Sequence, residues 1–409
     1  MEEKDNSLSK SSSFQVENKV DLTTHSLLLS PGPTEIPREL LLSLIKDVRN
    51  PDLDPYFYDF YHGIHSKLTR ILNSWGYKTI IMLGEAMLGL EASIINLLKE
   101  NELGIVLSNG FFGEGFYNLF RLVGRKGEKC IWDEREPIPP DEVESCLSEY
   151  PEAKAVYMIH CETPTGIMNP IESIGPKINK FGKMLIVDAV SSLLTVPIKG
   201  EEYGIDVLIA GSQKALNLPP GLTINLISEK AWNASIENNP KTFYLSYSIW
   251  KDFIEKREEM PPYTHSINML SGLDEALNRF IVESEENVYK RHEKIREASW
   301  AAALSLGLEP FPKEMRYSCP GLTALLMPKG ISSIEAFNWI RNKYGITLGI
   351  GLGKLKDKIL RIGHMGYTAS IDFLLLAYFA IGNYLIEKGN VKYSDVSQAM
   401  EMIIKKSNI

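Results

Sequence analysis

The chain has 409 residues, of which 44% are hydrophobic and 23% are charged, and its formal net charge is −8. This length suits a large α/β domain with a smaller companion, and the apolar content is enough for a sizeable core. The acidic balance disfavours nucleic acid or an anionic membrane surface as the main partner. The apolar stretches fall short of a membrane span, so the sequence predicts a soluble, cytoplasmic protein.

The cysteine and histidine spacings predict neither a disulfide framework nor a metal site. No CxxC pairing occurs among the four cysteines, which are Cys130, Cys146, Cys161 and Cys319. We therefore expect reduced thiols, in keeping with a cytoplasmic protein. His62 and His65 have HxxH spacing but no further ligand cluster, so we expect them on a helix surface rather than on zinc.

The N-terminal region divides into a polar extension and the start of the folded chain. Residues 1–24 are Ser-rich and too poor in apolar side chains to pack as a core. They predict a mobile extension. From His25 onward, LLLSPGPTEIPREL is an apolar run broken by Pro-Gly-Pro-Thr, which is a turn signal before a helix start.

A strand-to-helix junction follows at Gly84-Glu85-Ala86-Met87. Tyr77–Leu83 has a strand pattern, and the segment after the junction has the pattern of a helix. Such a junction aims unpaired backbone N–H groups at whatever lies above it, which favours phosphate binding. A carboxylate beside a phosphate is unfavourable, so we expect the backbone, and not the Glu85 side chain, to supply these contacts.

Two further strand patterns end in segments that carry polar and aromatic side chains. Residues 104–107 lead into SNGFFGEGF, and residues 154–160 lead into HCETPTGIMNPI. The phenylalanines are typical of core packing at a helix entry. His160 and Glu162 are more typical of a supporting hydrogen-bonded pair than of catalytic groups.

The stretch from residue 185 to residue 221 carries the clearest functional signal. Two buried strand patterns end there in polar groups, the first in Asp188 and the second in GSQK, which contains Lys214. Parallel strands bring such ends to one edge of a sheet, where open α/β folds bind ligands. A lysine that forms a Schiff base and an aspartate that holds a pyridine nitrogen protonated are what a pyridoxal phosphate enzyme needs.

With SQKALNLPPG around Lys214, the chain resembles the class V aminotransferases of fold type I, particularly the alanine–glyoxylate and serine–pyruvate branch. The resemblance extends from Leu27 to about Ala369. It implies a pyridoxal 5′-phosphate enzyme with an α/β fold, in which a large domain holds a mostly parallel seven-stranded sheet and a smaller α/β domain follows. We place the large domain at 25–286 and the smaller C-terminal domain at 287–409.

The resemblance also implies roles for individual residues. Lys214 and Asp188 become the catalytic pair, which also binds the cofactor. Phe112 stacks on the pyridine ring, on which Val190 also packs, and Thr163 reaches the phenolic oxygen. The remaining implied cofactor contacts are Glu85, Ala86, Met87, Gln213, Tyr263 and Thr264. The segment PPYTHS, with Thr264 and its neighbour Tyr263, resembles one that extends into the partner subunit's site, so the resemblance implies a homodimer.

The substrate anchor is predicted from a strand near the C-terminus. Arg361 lies in the apolar run KILRIG, and a buried guanidinium needs an anion. The resemblance implies that Arg361 clamps the substrate α-carboxylate and that Gly32 contributes a backbone contact. The predicted function is transfer of an amino group from alanine or serine to a 2-oxo acid such as glyoxylate or pyruvate, by a ping-pong mechanism.

Three alternatives remain open at this point. HCETPTGIMNPI also resembles 2-aminoethylphosphonate–pyruvate aminotransferases. A desulfurase or other lyase on the same fold would need a catalytic cysteine on a mobile loop. The candidate is Cys319, but the proline that follows it and the apolar strand pattern after that are typical of a structural residue. A non-catalytic binding protein is the third class, and the presence of Asp188 and Lys214 argues against it.

Overall fold

The computed structural model describes residues 26–46, 49–256 and 260–407, so the predicted extension 1–24 lies outside the described residues. Within these ranges no helix is long and apolar enough to cross a membrane. The helices are α1 Arg38–Ser43, α2 Phe57–Ile71, α3 Met87–Leu97, α4 Phe111–Leu122, α5 Pro140–Glu149, α6 Ile171–Lys180, α7 Glu229–Asn238, α8 Lys251–Glu255, α9 Ile267–Glu283, α10 Glu285–Ser305, α11 Ser333–Tyr344, α12 Ile371–Glu387 and α13 Tyr393–Ser407. The strands are β1 Leu27–Leu28, β2 Lys78–Leu83, β3 Leu103–Ser108, β4 Lys126–Ile131, β5 Ala155–Ile159, β6 Cys161–Glu162, β7 Ile167–Met168, β8 Met184–Asp188, β9 Val207–Gly211, β10 Leu222–Ile227, β11 Glu309–Pro310, β12 Leu322–Leu326, β13 Ile346–Thr347, β14 Gly349–Ile350 and β15 Ile359–Gly363.

A seven-stranded sheet forms the centre of the larger part, in the order β2-β10-β9-β8-β5-β3-β4. Strand β10 is antiparallel to both of its neighbours, and the other pairs are parallel. Strands β5, β8 and β9 are buried along their whole length, as expected of strands that are covered on both faces. The predicted mostly parallel seven-stranded sheet is confirmed.

Buried apolar side chains form two separate cores. The larger core surrounds the seven-stranded sheet. The smaller one packs α10, α12 and α13 against a four-stranded antiparallel sheet of order β11-β12-β15-β14. Leu29, from the N-terminal part of the chain, is buried in this smaller core. The predicted limit between residues 286 and 287 stays a prediction, and the break between α9 and α10 at Ser284 lies close to it.

The N-terminal segment connects the smaller core to the edge of the large sheet. Strand β1 pairs in parallel with β13. The backbone N–H of Gly363, in β15, donates to the carbonyl of Leu29 over 2.7 Å. The chain then reaches Pro31, whose carbonyl oxygen accepts a hydrogen bond from Lys214 Nζ at 2.7 Å. This segment therefore contacts both cores within a few residues.

The prediction that all four cysteines are reduced is wrong. Cys130, at the end of β4, and Cys146, in α5, form a disulfide, with Cα atoms 6.3 Å apart. The pairing depends on how α5 packs near the end of β4, which the spacing of 16 residues does not reveal. Cys161 and Cys319 are free and buried. The prediction of cytoplasmic localisation therefore loses the support of the cysteine pattern and stays a prediction.

Candidate active site

Lys214 lies just beyond the carboxyl end of β9, at the edge of the large sheet. Its side chain is half-buried, and its amine donates to the carbonyl oxygen of Pro31. Burial and, after it, the positive charge of Arg361 together lower the pKa of Lys214 from 10.5 to about 8. An amine with this pKa is partly neutral near pH 7, as a nucleophile or general base must be.

Asp188 ends the neighbouring strand β8 and faces the same pocket as Lys214. Its carboxylate oxygen Oδ1 accepts a hydrogen bond of 2.9 Å from the backbone N–H of Val190. Burial raises the pKa of Asp188 to about 6, against the opposing effects of this hydrogen bond and of Lys214. The carboxylate is thus ionised at neutral pH and suited to hold a proton on a cationic ring nitrogen.

A pocket of about 110 Å³ gathers most of the predicted site residues. The predicted residues that line it are Glu85, Ala86, Met87, Phe112, Thr163, Asp188, Val190, Gln213 and Lys214. Four other lining residues were not predicted from the sequence, namely Leu90, Ile159, Cys161 and Ser191. Apart from Leu90 on α3, the lining residues lie at or just beyond the carboxyl ends of strands or at the start of a helix, where open α/β folds bind ligands.

Phe112 is positioned by a buried carboxylate. Phe112 is half-buried at the start of α4, and its backbone N–H donates to Glu162 Oε2 at 3.1 Å. The N–H of Gly113 donates to Glu162 Oε1 at 2.7 Å. Burial raises the pKa of Glu162 to about 7, although these two N–H groups act in the opposite direction. Glu162 therefore caps the helix and positions the aromatic ring, as expected for a supporting residue.

Two buried hydroxyl groups lie together at the same pocket. Thr163 Oγ1 and Ser191 Oγ are 2.5 Å apart and share a hydrogen bond. Ser191 follows Asp188 by three positions, in the turn after β8. That spacing was the available signal for Ser191, because a polar residue so close to the end of a buried strand stays at the same edge of the sheet. The pair can donate to an oxygen of a bound ring.

Glu85 also lines the pocket, just before α3, and is an exposed residue. Its carboxylate oxygen Oε1 accepts from the backbone N–H of Met87 at 3.1 Å, and Oε2 accepts from Gln213 Nε2 at 3.4 Å. The amide oxygen of Gln213, Oε1, is buried and has no hydrogen-bond partner among residues 26–46, 49–256 and 260–407. The Glu85 carboxylate therefore already accepts from two donors, the Met87 N–H and the Gln213 amide, that were predicted to contact the cofactor.

Arg361 and Gly32 border the site from two other segments. The Arg361 guanidinium is buried and donates to the backbone carbonyls of Ile350, at 3.0 and 2.7 Å, and Thr163, at 3.1 Å. No acidic side chain in the described part of the chain forms an ion pair with it. Gly32 has φ of +124°, and a Cβ there would overlap the Lys214 side chain. These contacts leave an available cation close to the amine.

Tyr263 and Thr264 lie outside the pocket of their own chain. Thr264 is exposed, and its hydroxyl donates to Asp52 at 2.7 Å. Tyr263 packs among aromatic rings, edge-on to Trp250 and stacked on His265. Their predicted contribution to a partner subunit's site involves a second chain and stays a prediction.

The pocket places an amine, Lys214, and a carboxylate, Asp188, on one wall, and comparison with known proteins gives the family to which the chain belongs. Residues 125–299 match the family model described as aminotransferase class-V. An uncharacterised aminotransferase of Methanocaldococcus jannaschii is 33% identical, with 95% of this chain and all of that protein covered. The chain belongs to the class-V aminotransferase family. Serine–glyoxylate aminotransferase of Methylorubrum extorquens is 30% identical, over 85% of this chain and 88% of that one.

Solved structures place this class-V aminotransferase in fold type I. The crystal structure of pyridoxamine–pyruvate aminotransferase from Mesorhizobium loti matches with a TM-score of 0.88 and 30% identity, covering 93% of this chain and 97% of that one. The predicted fold, transaminase class and pyridoxal 5′-phosphate dependence are confirmed. The pocket also fits the cofactor's ring, since an acid and an amine lie on its wall.

Proposed function

We propose that this aminotransferase moves the amino group of a small amino acid, such as alanine or serine, to a 2-oxo acid such as glyoxylate or pyruvate. The observation that carries the proposal is the buried guanidinium of Arg361, whose charge acts on Lys214. Three of its five N–H groups donate to backbone carbonyls, which leaves two for a ligand. A guanidinium pairs with a carboxylate through two parallel hydrogen bonds, and all four of these substrates carry a carboxylate.

The proposed mechanism assigns one task to each residue. Lys214 would hold the cofactor through Nζ and, once free, would take a proton from the α-carbon of the amino donor in the first half-reaction and deliver one to the α-carbon of the new amino acid in the second. When bound, pyridoxal phosphate supplies an electron sink for the charge that develops at that carbon. Asp188 would hold the proton on the ring nitrogen, Phe112 would stack on the ring, and Arg361 would fix the substrate carboxylate. The oxo acid product leaves before the second substrate enters the same site, which makes the kinetics ping-pong.

We also propose a homodimer in which Thr264, with Tyr263 beside it, reaches the partner's site. The exposure of Thr264 away from its own pocket supports this arrangement. We also propose that the large cofactor-binding domain spans residues 25–286 and the smaller domain residues 287–409. The two separate buried cores support this division.

A second candidate function is the use of pyridoxamine as amino donor with pyruvate as acceptor. The observation that favours it is the carboxylate of Glu85, which accepts hydrogen bonds at the end of the pocket where a phosphate would bind. Pyridoxamine lacks the phosphate and has no negative charge to place beside Glu85. The similarity to pyridoxamine–pyruvate aminotransferase supports this candidate.

A single-turnover donor panel tests the amino acid proposal. Holoenzyme is mixed with alanine, serine, aspartate or 2-aminoethylphosphonate in turn, and the cofactor's visible absorbance is followed without an acceptor. Alanine and serine should remove the absorbance fastest, and glyoxylate or pyruvate should restore it. A faster reaction with 2-aminoethylphosphonate would favour the phosphonate alternative. Cysteine is added as a further donor with dithiothreitol, which reduces any enzyme persulfide and releases sulfide. Sulfide in that sample would favour a desulfurase, a role for which Cys319 is poorly placed because its side chain is buried.

A further inference from the structure

The end of the pocket next to α3 carries an anion of the protein itself, the carboxylate of the exposed residue Glu85. Glu85 Oε1 accepts from the backbone N–H of Met87 at 3.1 Å, and Oε2 accepts from Gln213 Nε2 at 3.4 Å. These are a main-chain donor in the first turn of α3 and a side-chain donor beside Lys214. The N-terminus of a helix attracts negative charge through its free N–H groups and its dipole. Glu85 supplies that charge from within the chain.

Gln213 gives independent evidence that this end of the pocket is built for a polar ligand group. The residue is 7% exposed, it lines the pocket, and its Oε1 atom has no hydrogen-bond partner within the described ranges. A buried amide oxygen without a partner is costly unless a donor from a ligand satisfies it. A hydroxymethyl group carries such a donor. A fully ionised phosphate does not.

The main chain around Glu85 is held in place. Thr223 Oγ1 lies 2.7 Å from the carbonyl oxygen of Glu85 and 3.1 Å from that of Gly84 and can donate to either. Gly84 has φ of +152°, and a Cβ there would overlap the Leu88 side chain. The backbone therefore has little freedom to withdraw Glu85 from the pocket. The carboxylate leaves only by rotation of its own side chain, which gives up both hydrogen bonds.

We propose that Glu85 is the residue that sets which form of the vitamin this site accepts, weakening the contribution of the phosphate and admitting pyridoxamine and pyridoxal as ligands. The inference rests on the proposed function of the pocket as the cofactor site. The groups assigned to the ring, Lys214, Asp188 and Phe112, would contact the part that phosphorylated and non-phosphorylated forms share. Glu85 would face the part in which they differ, and two negative charges about 4 Å apart repel each other even in a partly hydrated site.

Binding of two vitamers to the apoprotein tests this inference without measuring catalysis. Pyridoxal phosphate and pyridoxal are titrated separately into cofactor-free protein, and the visible absorbance of the Lys214 adduct gives each dissociation constant. The ratio of the two constants isolates the phosphate, because both ligands attach to the same lysine. In the wild-type protein we expect pyridoxal phosphate to bind within about tenfold of pyridoxal, since the repulsion offsets the contacts that the phosphate gains.

Three variants locate the effect. Glu85→Gln keeps the size of the side chain and removes the charge, and Glu85→Ser leaves a small hydroxyl. Both should tighten pyridoxal phosphate roughly 10- to 100-fold, the range for hydrogen bonds to a charged group, and leave pyridoxal unchanged within a few-fold. Glu91→Gln is the matched control, because it removes the same charge from α3 at a residue that does not line the pocket. It should leave both dissociation constants unchanged.

The inference is overturned if wild-type protein prefers pyridoxal phosphate by more than about a thousandfold, or if the Glu85 variants change the ratio no more than Glu91→Gln does. The ratio of dissociation constants in the wild-type protein requires no variant. It can therefore refute the inference even if the Glu85→Gln and Glu85→Ser proteins do not fold. Failure of the amino acid donor panel would refute the proposed substrates and would leave the vitamer ratio to be judged separately. Failure of both vitamers to label Lys214 would refute the cofactor site itself and with it the inference.

Discussion

Single residues at the pocket act on one another mainly through charge. Arg361 lowers the pKa of Lys214, and Lys214 in turn opposes the rise in the pKa of Asp188. The site thus combines a cation that binds anions, an amine that is easily deprotonated and an acid that stays ionised. These are the three ionisation states that transamination near pH 7 requires.

The pKa of Lys214 predicts how cofactor attachment depends on pH. Only the neutral amine reacts, and a pKa of about 8 makes roughly a tenth of it neutral at pH 7, against less than a thousandth for an ordinary lysine. The rate of attachment to apoprotein should therefore rise with pH and level off above about 8. Stopped-flow absorbance at a series of pH values measures this. Borohydride reduction should fix the pyridoxyl group on the peptide that contains Lys214, and a midpoint near 10.5 or label on another lysine would contradict the assignment.

Arg361→Ala tests the substrate anchor. Loss of a buried guanidinium–carboxylate pair should lower kcat/KM for alanine and serine roughly 30-fold or more. Arg361→Lys should recover only part of this, because an ammonium cannot reproduce the planar fork. The control is an amine without a carboxylate, whose reaction with the cofactor should be nearly unchanged. An equal loss for both kinds of amine would make Arg361 a folding residue, which its hydrogen bonds to Ile350 and Thr163 could also explain.

At the scale of elements, helix α4 depends on a carboxylate that lies 49 residues away from it in sequence. Glu162 accepts the N–H groups of Phe112 and Gly113. Glu162→Ala would leave both donors buried without a partner, so we expect a loss of about 2–4 kcal/mol in the free energy of unfolding. Glu162→Gln should lose about half as much, because one of its two side-chain acceptors remains. Denaturant unfolding measures both variants.

The Glu162 variants also need a readout of position. If Glu162 only stabilises the fold, cofactor bound to a folded Glu162→Gln protein should have the wild-type absorbance and near-ultraviolet circular dichroism. If Glu162 positions the Phe112 ring over the cofactor, the circular dichroism of the bound cofactor should change in that variant. An unchanged spectrum together with an unchanged kcat would show that Glu162 does not position the Phe112 ring.

At the scale of the whole molecule, the disulfide predicts a sensitivity to reductant. Cys130 and Cys146 close a loop of 16 residues, and a loop of that size contributes about 3 kcal/mol by constraint of the unfolded chain. Unfolding by denaturant should therefore occur at lower concentration when dithiothreitol is present. A Cys130→Ser, Cys146→Ser double variant should unfold like the reduced protein and should not respond to dithiothreitol. Thiol titration of the denatured, unreduced protein should find two free thiols, and a count of four would contradict the pairing.

Features that follow from a local sequence pattern could be predicted, and features that depend on how distant segments pack could not. Lys214 and Asp188 were predictable because each ends a buried apolar run, and parallel strands bring such ends together. Ser191 was missed because a turn residue carries no periodic signal. The Cys130–Cys146 pair depends on how a helix packs near a strand end, which neither local pattern contains. Thr264 cannot be judged from one chain, since its predicted neighbours belong to another.

The N-terminal segment gives the smaller core a direct connection to the reactive nitrogen. Leu29 is hydrogen-bonded to β15, the strand that carries Arg361, and Pro31 accepts the hydrogen bond of the Lys214 amine. The two attachment points are about 7 Å apart at most along an extended chain. The main chain therefore keeps the strand that carries Arg361 and the acceptor of the Lys214 amine at a short, fixed spacing. The positions of the buried cation and of the reactive nitrogen thus both depend on the same three residues of main chain, 29–31.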